Sequence, residues 1–150
     1  GPERGNLERL AAELGCADQI RFAGQLNRSD LSRELLEADL CVQPSLTEGF
    51  SKAWLDAMAH GVPVVSSEVG AARAVVGRDG ERGWLVPPGD EEMLTKRLAA
   101  VLSEPIDWPA MRRRCRDFAE QRTLEDWRDR IGEICADRWD WTFQQGKLAR

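Results

Sequence analysis

Histidine occurs once in this sequence, at His60, and cysteine four times. Cys16, Cys41, Cys115 and Cys135 stand far apart with no C-x-x-C pair. That pattern fits neither a zinc site nor a disulfide framework, and it favours reduced thiols in a cytosolic protein. The acidic metal motif D-x-D is missing as well. No apolar run approaches the roughly 18 residues of a membrane span, and the first residues lack the basic-then-apolar pattern of a signal peptide. No internal repeat or low-complexity block is visible. Positive charge is also in deficit: 21 Lys and Arg against 26 Asp and Glu leave −5 at pH 7 and a pI near 5.0. Such a balance argues against a nucleic-acid footprint, although a phosphorylated ligand needs only a local positive patch.

What is present suits one compact α/β domain. A chain of 150 residues buries about two thirds of its unfolded surface. Leu7, Leu10, Ala11 and Leu14 recur at helical spacing, so Glu3 to Leu14 reads as a packing helix stopped by Gly15. Gln19 to Ala23 reads as a strand, and Ser29-Asp30 as the cap of a helix through Leu31, Leu35 and Leu36. A strand at Asp39 to Val42 follows. Further on, Val69-Gly70-Ala71 opens a short helix, Gly83 to Val86 forms a strand, and Asp90 caps a helix ending at Pro105. Two more helices follow, the first opened by Asp107-Trp108-Pro109 and running to about Glu120, the second capped from Thr123 to Asp126. Gly146 to Arg150 reads as frayed. Arg112, Arg113, Arg114 and Arg116 go most of the way round a helix, a solvated face. The end is aromatic, with Trp127, Trp139, Trp141 and Phe143, rings expected to be exposed where no further domain covers them.

Everything is arranged around Leu40 to Ser67, which reads strand, loop, helix, strand. The apolar run ends at Pro44, the turn residues Ser45 to Gly49 follow, and a helix begins near Phe50 or Ser51. Gly61 stops it, and Val62 to Val65 is a β-branched run suited to burial on both faces. In open parallel sheets ligands sit beyond the carboxyl ends of strands, where Ser45 to Ser51 lie. Amides of Gly49, Phe50, Ser51 and Lys52 are the donors a helix leaves without internal partners, and with the helix dipole they suit a diphosphate. Read from the residues alone, Glu48 is either a ligand-facing carboxylate or an acid favoured by that dipole. Lys52 reads as a phosphate neighbour or a solvated surface lysine, and Ser45 as a ligand contact or ordinary turn chemistry. His60 reads as a helix C-terminal residue.

Pro44-Ser45, Glu48-Gly49-Phe50, Asp56-Ala57-Met58-Ala59, Gly61-Val62-Pro63-Val64-Val65 and Gly83-Trp84-Leu85-Val86-Pro87-Pro88-Gly89-Asp90 resemble the nucleotide-sugar domain of retaining family 4 glycosyltransferases of GT-B architecture. The likeness runs from about Gly1 to Pro105. It implies a Rossmann-like doubly wound parallel sheet with strand order 3-2-1-4-5-6, of which this chain carries the third to sixth strands. It implies residues 1–105 as a partial nucleotide-sugar-binding domain and 106–150 as a helical extension of it. Gly1-Pro2 reads either as a protease-cleavage scar or as the tail of a Gly-rich turn, and Gly1-Pro2-Glu3-Arg4 to Leu7 matches the end of a family phrase that follows the second strand. A truncated start is therefore expected, with an amino-terminal acceptor domain, two strands and a phosphate-binding Arg and Lys upstream. With those strands absent, the sheet is expected to be rearranged and weakly stable.

The same resemblance implies roles. Glu48 would lie against the donor sugar and face the positive charge that grows at the anomeric carbon. Asp56 stands where the family has a second Glu that binds the ribose, one methylene short. Ser51 stands where the family usually has Gly. Leu26, after Gly24-Gln25, falls in the region that holds the nucleotide base. The implied reaction moves a sugar from a nucleoside diphosphate sugar to a hydroxyl acceptor, saccharide or lipid-linked, with no metal or other cofactor. The implied setting is polysaccharide, glycolipid or glycoconjugate synthesis in the cytoplasm, with room for peripheral contact at the inner membrane. A non-catalytic scaffold that kept the fold, or another nucleotide-sugar enzyme such as an epimerase, remains open; a sugar phosphorylase would need a pyridoxal-phosphate lysine that no motif marks. The 150-residue chain by itself is expected to be inactive. Sugar transfer catalysed by the purified chain would overturn that expectation.

Overall fold

The structure, a computed structural model, describes residues 1–139, 141–144 and 147–149. It forms two compact units, Gly1–Glu34 and Leu35–Arg150.

The first unit opens with α1 (Arg4–Glu13). Its apolar stripe is less sealed than the spacing predicts: Ala11 is buried, but Leu7 and Leu10 are half exposed and Leu14 is 70% exposed. The strand expected at Gln19 to Ala23 does not form. Ala17–Gln19 is a 3-10 turn, and residues 20–24 carry no regular structure. A strand exists through its ladder, and among the described residues this unit holds no second strand to pair with. The division between units falls within α2 (Arg28–Glu37). Its cap is Asn27 rather than Ser29 or Asp30, because Asn27 Oδ1 accepts the Asp30 N–H at 2.9 Å.

In the second unit, β1 (Cys41–Gln43), β2 (Val64–Ser67) and β3 (Gly83–Val86) form a parallel sheet in the order β1-β2-β3. Between them run α3 (Lys52–Ala59) and α4 (Ala72–Val76), and after them α5 (Glu91–Ser103), α6 (Trp108–Glu120) and α7 (Leu124–Trp139). The sheet thus has three strands where four were expected, in the sequential order that the resemblance implies for the last three. β2 starts two residues later than Val62, for a reason at the end of α3. There Gly61, at φ +74°, donates to Met58 O at 2.8 Å and Val62 donates to Ala57 O at 2.9 Å. This is the paired closure of a Schellman motif, and it uses the Val62 amide before a strand can.

Both faces of the sheet are covered. Trp54, Met58, Val64, Val75, Leu85 and Cys115 form one core. Val65, Trp84, Val101 and Met111 form the other, closed by Trp84 edge-on to Trp108 at 6.3 Å. β2 and β3 are buried at every position, as doubly wound sheets require. Asp90 and Asp107 cap α5 and α6 through the N–H of Met93 and Ala110. Thr123 and Asp126 cap α7 reciprocally, Thr123 Oγ1 accepting the Asp126 N–H and Asp126 Oδ2 accepting the Thr123 N–H.

Two expectations need correction. The arginine run is more than a solvated face. Burial of Met111 and Cys115 seats α6 so that Arg114 donates to Glu81 O at 2.7 Å and Gly80 O at 3.0 Å, while Arg112 pairs with Asp39 at 2.7 Å. The chain end is also more ordered than frayed: β5 (Lys147–Ala149) pairs antiparallel with β4 (Thr142–Gln144), and Gly146 and Arg150 lie outside the described residues. Trp127 and Trp139 are exposed, as expected.

Cys115 is fully buried, with its thiol directed at Arg82 O at 3.5 Å. Burial pushes its pKa from 9.0 up to about 11 against the pull of nearby arginines, Arg82 foremost. The folded state then keeps a proton that the unfolded chain releases. Its contribution is complete below pH 9 and is lost as pH rises towards about 11. With no tyrosine in the chain, no phenol titrates across that window. Denaturant unfolding is expected to show a midpoint that falls from about pH 9 upward, and less steeply in Cys115→Ala. A pH-independent midpoint in the parent chain would contradict the assignment.

Candidate functional site at the end of the first strand

The loop from Gln43 to Ser51 joins β1 to α3, and two sets of contacts hold it. The first is made by main chain. Gly70, at φ +51°, lies so close to the loop that a Cβ on it would stand 2.0 Å from Glu48 O and 2.3 Å from Gly49 O. Beside it the Ala71 N–H donates to Gly49 O at 2.8 Å. Only a residue without a side chain admits this approach.

The second set converges on Gln43. Its Nε2 donates to Ser51 Oγ at 2.9 Å and reaches Ser45 Oγ and Glu48 Oε2, both at 3.4 Å. Its Oε1 lies 3.0 Å from Ser51 Oγ. Ser51 precedes α3 and is buried, but its side chain makes no cap bond to the helix. The amides of α3's first turn are therefore not served by that hydroxyl, and Trp54 N–H turns back to Ser51 O at 3.3 Å. Glu48 is half-buried, and Gly49 stands open: a Cβ there would meet nothing within 4 Å.

The remaining predicted residues are placed differently. Phe50 is half exposed and meets Trp54 edge-on at 6.3 Å. Trp54 is wholly buried, and its Nε1–H has no partner among the described residues. Lys52 Nζ pairs with Asp56 Oδ2 at 3.3 Å, one helical turn apart on the surface of α3. Such a pair contributes about 0.3–0.5 kcal/mol at most. Leu26 is half-buried within the first unit. His60 closes α3, its Nδ1–H donating to Asp56 O at 2.7 Å, which agrees with the helix-end reading.

Beyond the strand ends a cleft of about 320 Å³ is lined by Pro44, Leu46, Ser67, Val86, Pro87 and Leu94 among others. Among the described residues no group of three or more His, Cys, Asp or Glu side chains gathers to hold a metal ion. The structure thus brings Ser45, Glu48 and Ser51 together, and it couples Lys52 to Asp56. Two residues escaped the sequence reading. Gln43 is a lone polar residue closing the apolar run from Leu40, and that break in the run is the signal that could have found it. Gly70 was legible only as part of the opening of a short helix, since the carbonyls it touches are 21 and 22 residues away in sequence.

The chain's likeness to known proteins bears on these groups. The family model described as "Glycosyl transferases group 1" matches residues 1–122. MMP alpha-(1->4)-mannosyltransferase of Mycolicibacterium hassiacum is 41% identical over 121 residues, 81% of this chain and 28% of that protein. D-inositol 3-phosphate glycosyltransferase of Geodermatophilus obscurus is 38% identical over 120 residues, 79% of this chain and 26% of that protein. Among solved structures, sucrose-phosphate synthase from Thermosynechococcus elongatus superposes with a TM-score of 0.77 at 30% identity, covering 93% of this chain and 35% of that one. Anabaena HepE in complex with UDP gives 0.77 at 24% identity over 89% of this chain and 36% of that one, a likeness of fold. This chain therefore spans between a quarter and about a third of the length of these proteins.

The loop's dependence on Gly70 is directly testable. Gly70→Ala forces the Glu48 and Gly49 carbonyls to move, and a loss of about 2–3 kcal/mol is expected. Gly49→Ala, whose Cβ meets open space, is expected to stay within about 1 kcal/mol of the parent. Equal stabilities of the two variants in denaturant melts would show that the contact at Gly70 does not hold the loop.

Proposed function

Because this chain belongs to the glycosyl transferases group 1 family, we propose that it is the part of a glycosyltransferase that holds the nucleoside diphosphate sugar. The observation that carries this reading is one juxtaposition: Glu48 and the open backbone of Gly49 stand immediately before the N-terminus of α3, at the carboxyl end of a parallel strand. The first-turn amides and the positive end of the helix dipole receive the diphosphate. The Glu48 carboxylate faces the sugar, accepts hydroxyl hydrogen bonds and stabilises positive charge developing at the anomeric carbon as the diphosphate departs. Retention at that carbon, with a hydroxyl acceptor and amides in place of a metal, completes the proposal. The named relatives are mannosyl- and inositol phosphate glycosyltransferases, which favours a small hydroxylated acceptor or its lipid-linked form. A cytoplasmic setting agrees with thiols that are free among the described residues, and no described helix is long and apolar enough to cross a membrane.

A second reading has its own observation. Asp56, proposed for the ribose, is spent on Lys52, and the Ser51 hydroxyl is spent on Gln43. Both favour a non-catalytic scaffold that kept the fold without its donor contacts. Calorimetric titration of the protein carrying this chain with UDP- and GDP-linked hexoses separates the two. The enzyme reading expects donor binding that Glu48→Gln leaves within about threefold, while release of nucleoside diphosphate falls by about 100-fold or more. Unchanged turnover in Glu48→Gln would remove Glu48 from the chemistry. No binding of any of these donors would favour the scaffold.

A further inference from the structure

We infer that Gln43 is a positioning residue of this site: its carboxamide sets the orientation of the Glu48 carboxylate and ties it to the buried hydroxyl of Ser51. The inference rests on the role proposed for Glu48, and no motif of the sequence pointed to it.

Gln43 is held at both its main chain and its side chain. It ends β1 in register with Ser66, whose hydroxyl proton is shared between Gln43 O and Ser67 O, each at 3.1 Å. From that fixed backbone the side chain meets three groups of the following loop, Ser45, Glu48 and Ser51. A primary amide has two N–H donors and one carbonyl acceptor. One N–H goes to Ser51 Oγ at 2.9 Å, whose own hydroxyl proton is directed at Oε1, 3.0 Å away. The other N–H has two acceptors at equal distance, Ser45 Oγ and Glu48 Oε2 at 3.4 Å. The charged acceptor is the stronger of the two. A sugar hydroxyl that draws Glu48 outward leaves this N–H with Ser45, so no half-buried donor is orphaned during the motion. Gln43 thereby lets the carboxylate move between two satisfied positions while its base stays fixed by Ser51 and Ser66. Neutrality matters too, since a carboxylate at this position would stand within 3.4 Å of Glu48 and repel it.

The test uses the protein that carries this chain, with UDP- and GDP-linked hexoses as donors, and reads nucleoside diphosphate release with water as acceptor. Gln43→Met keeps the length and removes the hydrogen bonds. It is expected to lower kcat by about 10- to 100-fold with donor KM changed less than about threefold. Gln43→Glu, which keeps the shape and adds a like charge, is expected to lower kcat further. In a Glu48→Gln background the same Gln43→Met change is expected to cost under about threefold, because the group it positions is gone. A merely structural residue would cost the same in both backgrounds, and that result overturns the inference while leaving Glu48 in place. If Gln43→Met does not fold, the cycle is run with Gln43→Glu, and equal losses in the two backgrounds overturn the inference in the same way. Full activity in Glu48→Gln, or no turnover of any donor by the parent protein, overturns the underlying reading and the inference with it.

Discussion

A peptide without a side chain pressed against two carbonyls governs this site. Gly70 approaches Glu48 O and Gly49 O more closely than any other residue type permits, and the Ala71 N–H completes the contact by bonding Gly49 O. A loop of eight residues, Pro44 to Ser51, between β1 and α3 would otherwise be free to splay, since its tip is exposed at Leu46 and Thr47. The close contact converts that loop into an extension of the segment following β2. Everything attributed to Glu48 depends on its main chain being held there.

The scaffold behind the loop is built to stay still. α3 is anchored by Trp54, Ala57 and Met58, all fully buried against the sheet and α6. Burying side chains as large as Trp54 and Met58 contributes about 1.5–3 kcal/mol each. Its end is closed by the paired bonds at Gly61 and Val62, and α6 is fastened in turn by Arg112 and Arg114 to backbone at two separate turns. The N-terminus of α3, which has to present its amides, is therefore the free end of an otherwise fixed rod. One cost is visible: the Trp54 indole N–H is buried without a partner among the described residues, a loss of about 1–3 kcal/mol that the aromatic contact with Phe50 only partly offsets.

Much of the architecture could be read from local patterns. The helices from α3 onward, the caps at Asp90, Asp107 and Thr123, the strand at Gly83 to Val86 and the stop at Gly61 all follow from side-chain periodicity or from bonds within one turn. The failures share a different physics. Gln19 to Ala23 has the composition of a strand but no ladder partner among the described residues, and the arginines of α6 look solvated until distant carbonyls are brought beneath them. Local propensity cannot report a bond whose other half lies tens of residues away.

The site divides along the same line. From the sequence alone came the turn at Ser45 to Gly49, the helix that follows it and Glu48 as the residue to watch, because turn chemistry and helix termini are written within a few consecutive positions. Only tertiary structure decided that Ser51 turns to Gln43 instead of capping α3, and that Gly70 clamps the loop. The physical reason is that hydrogen bonds and close contacts depend on distance in space. The parallel sheet places Gln43 beside Ser66, and Gly70 against Glu48, although 22 or 23 residues separate each pair along the chain.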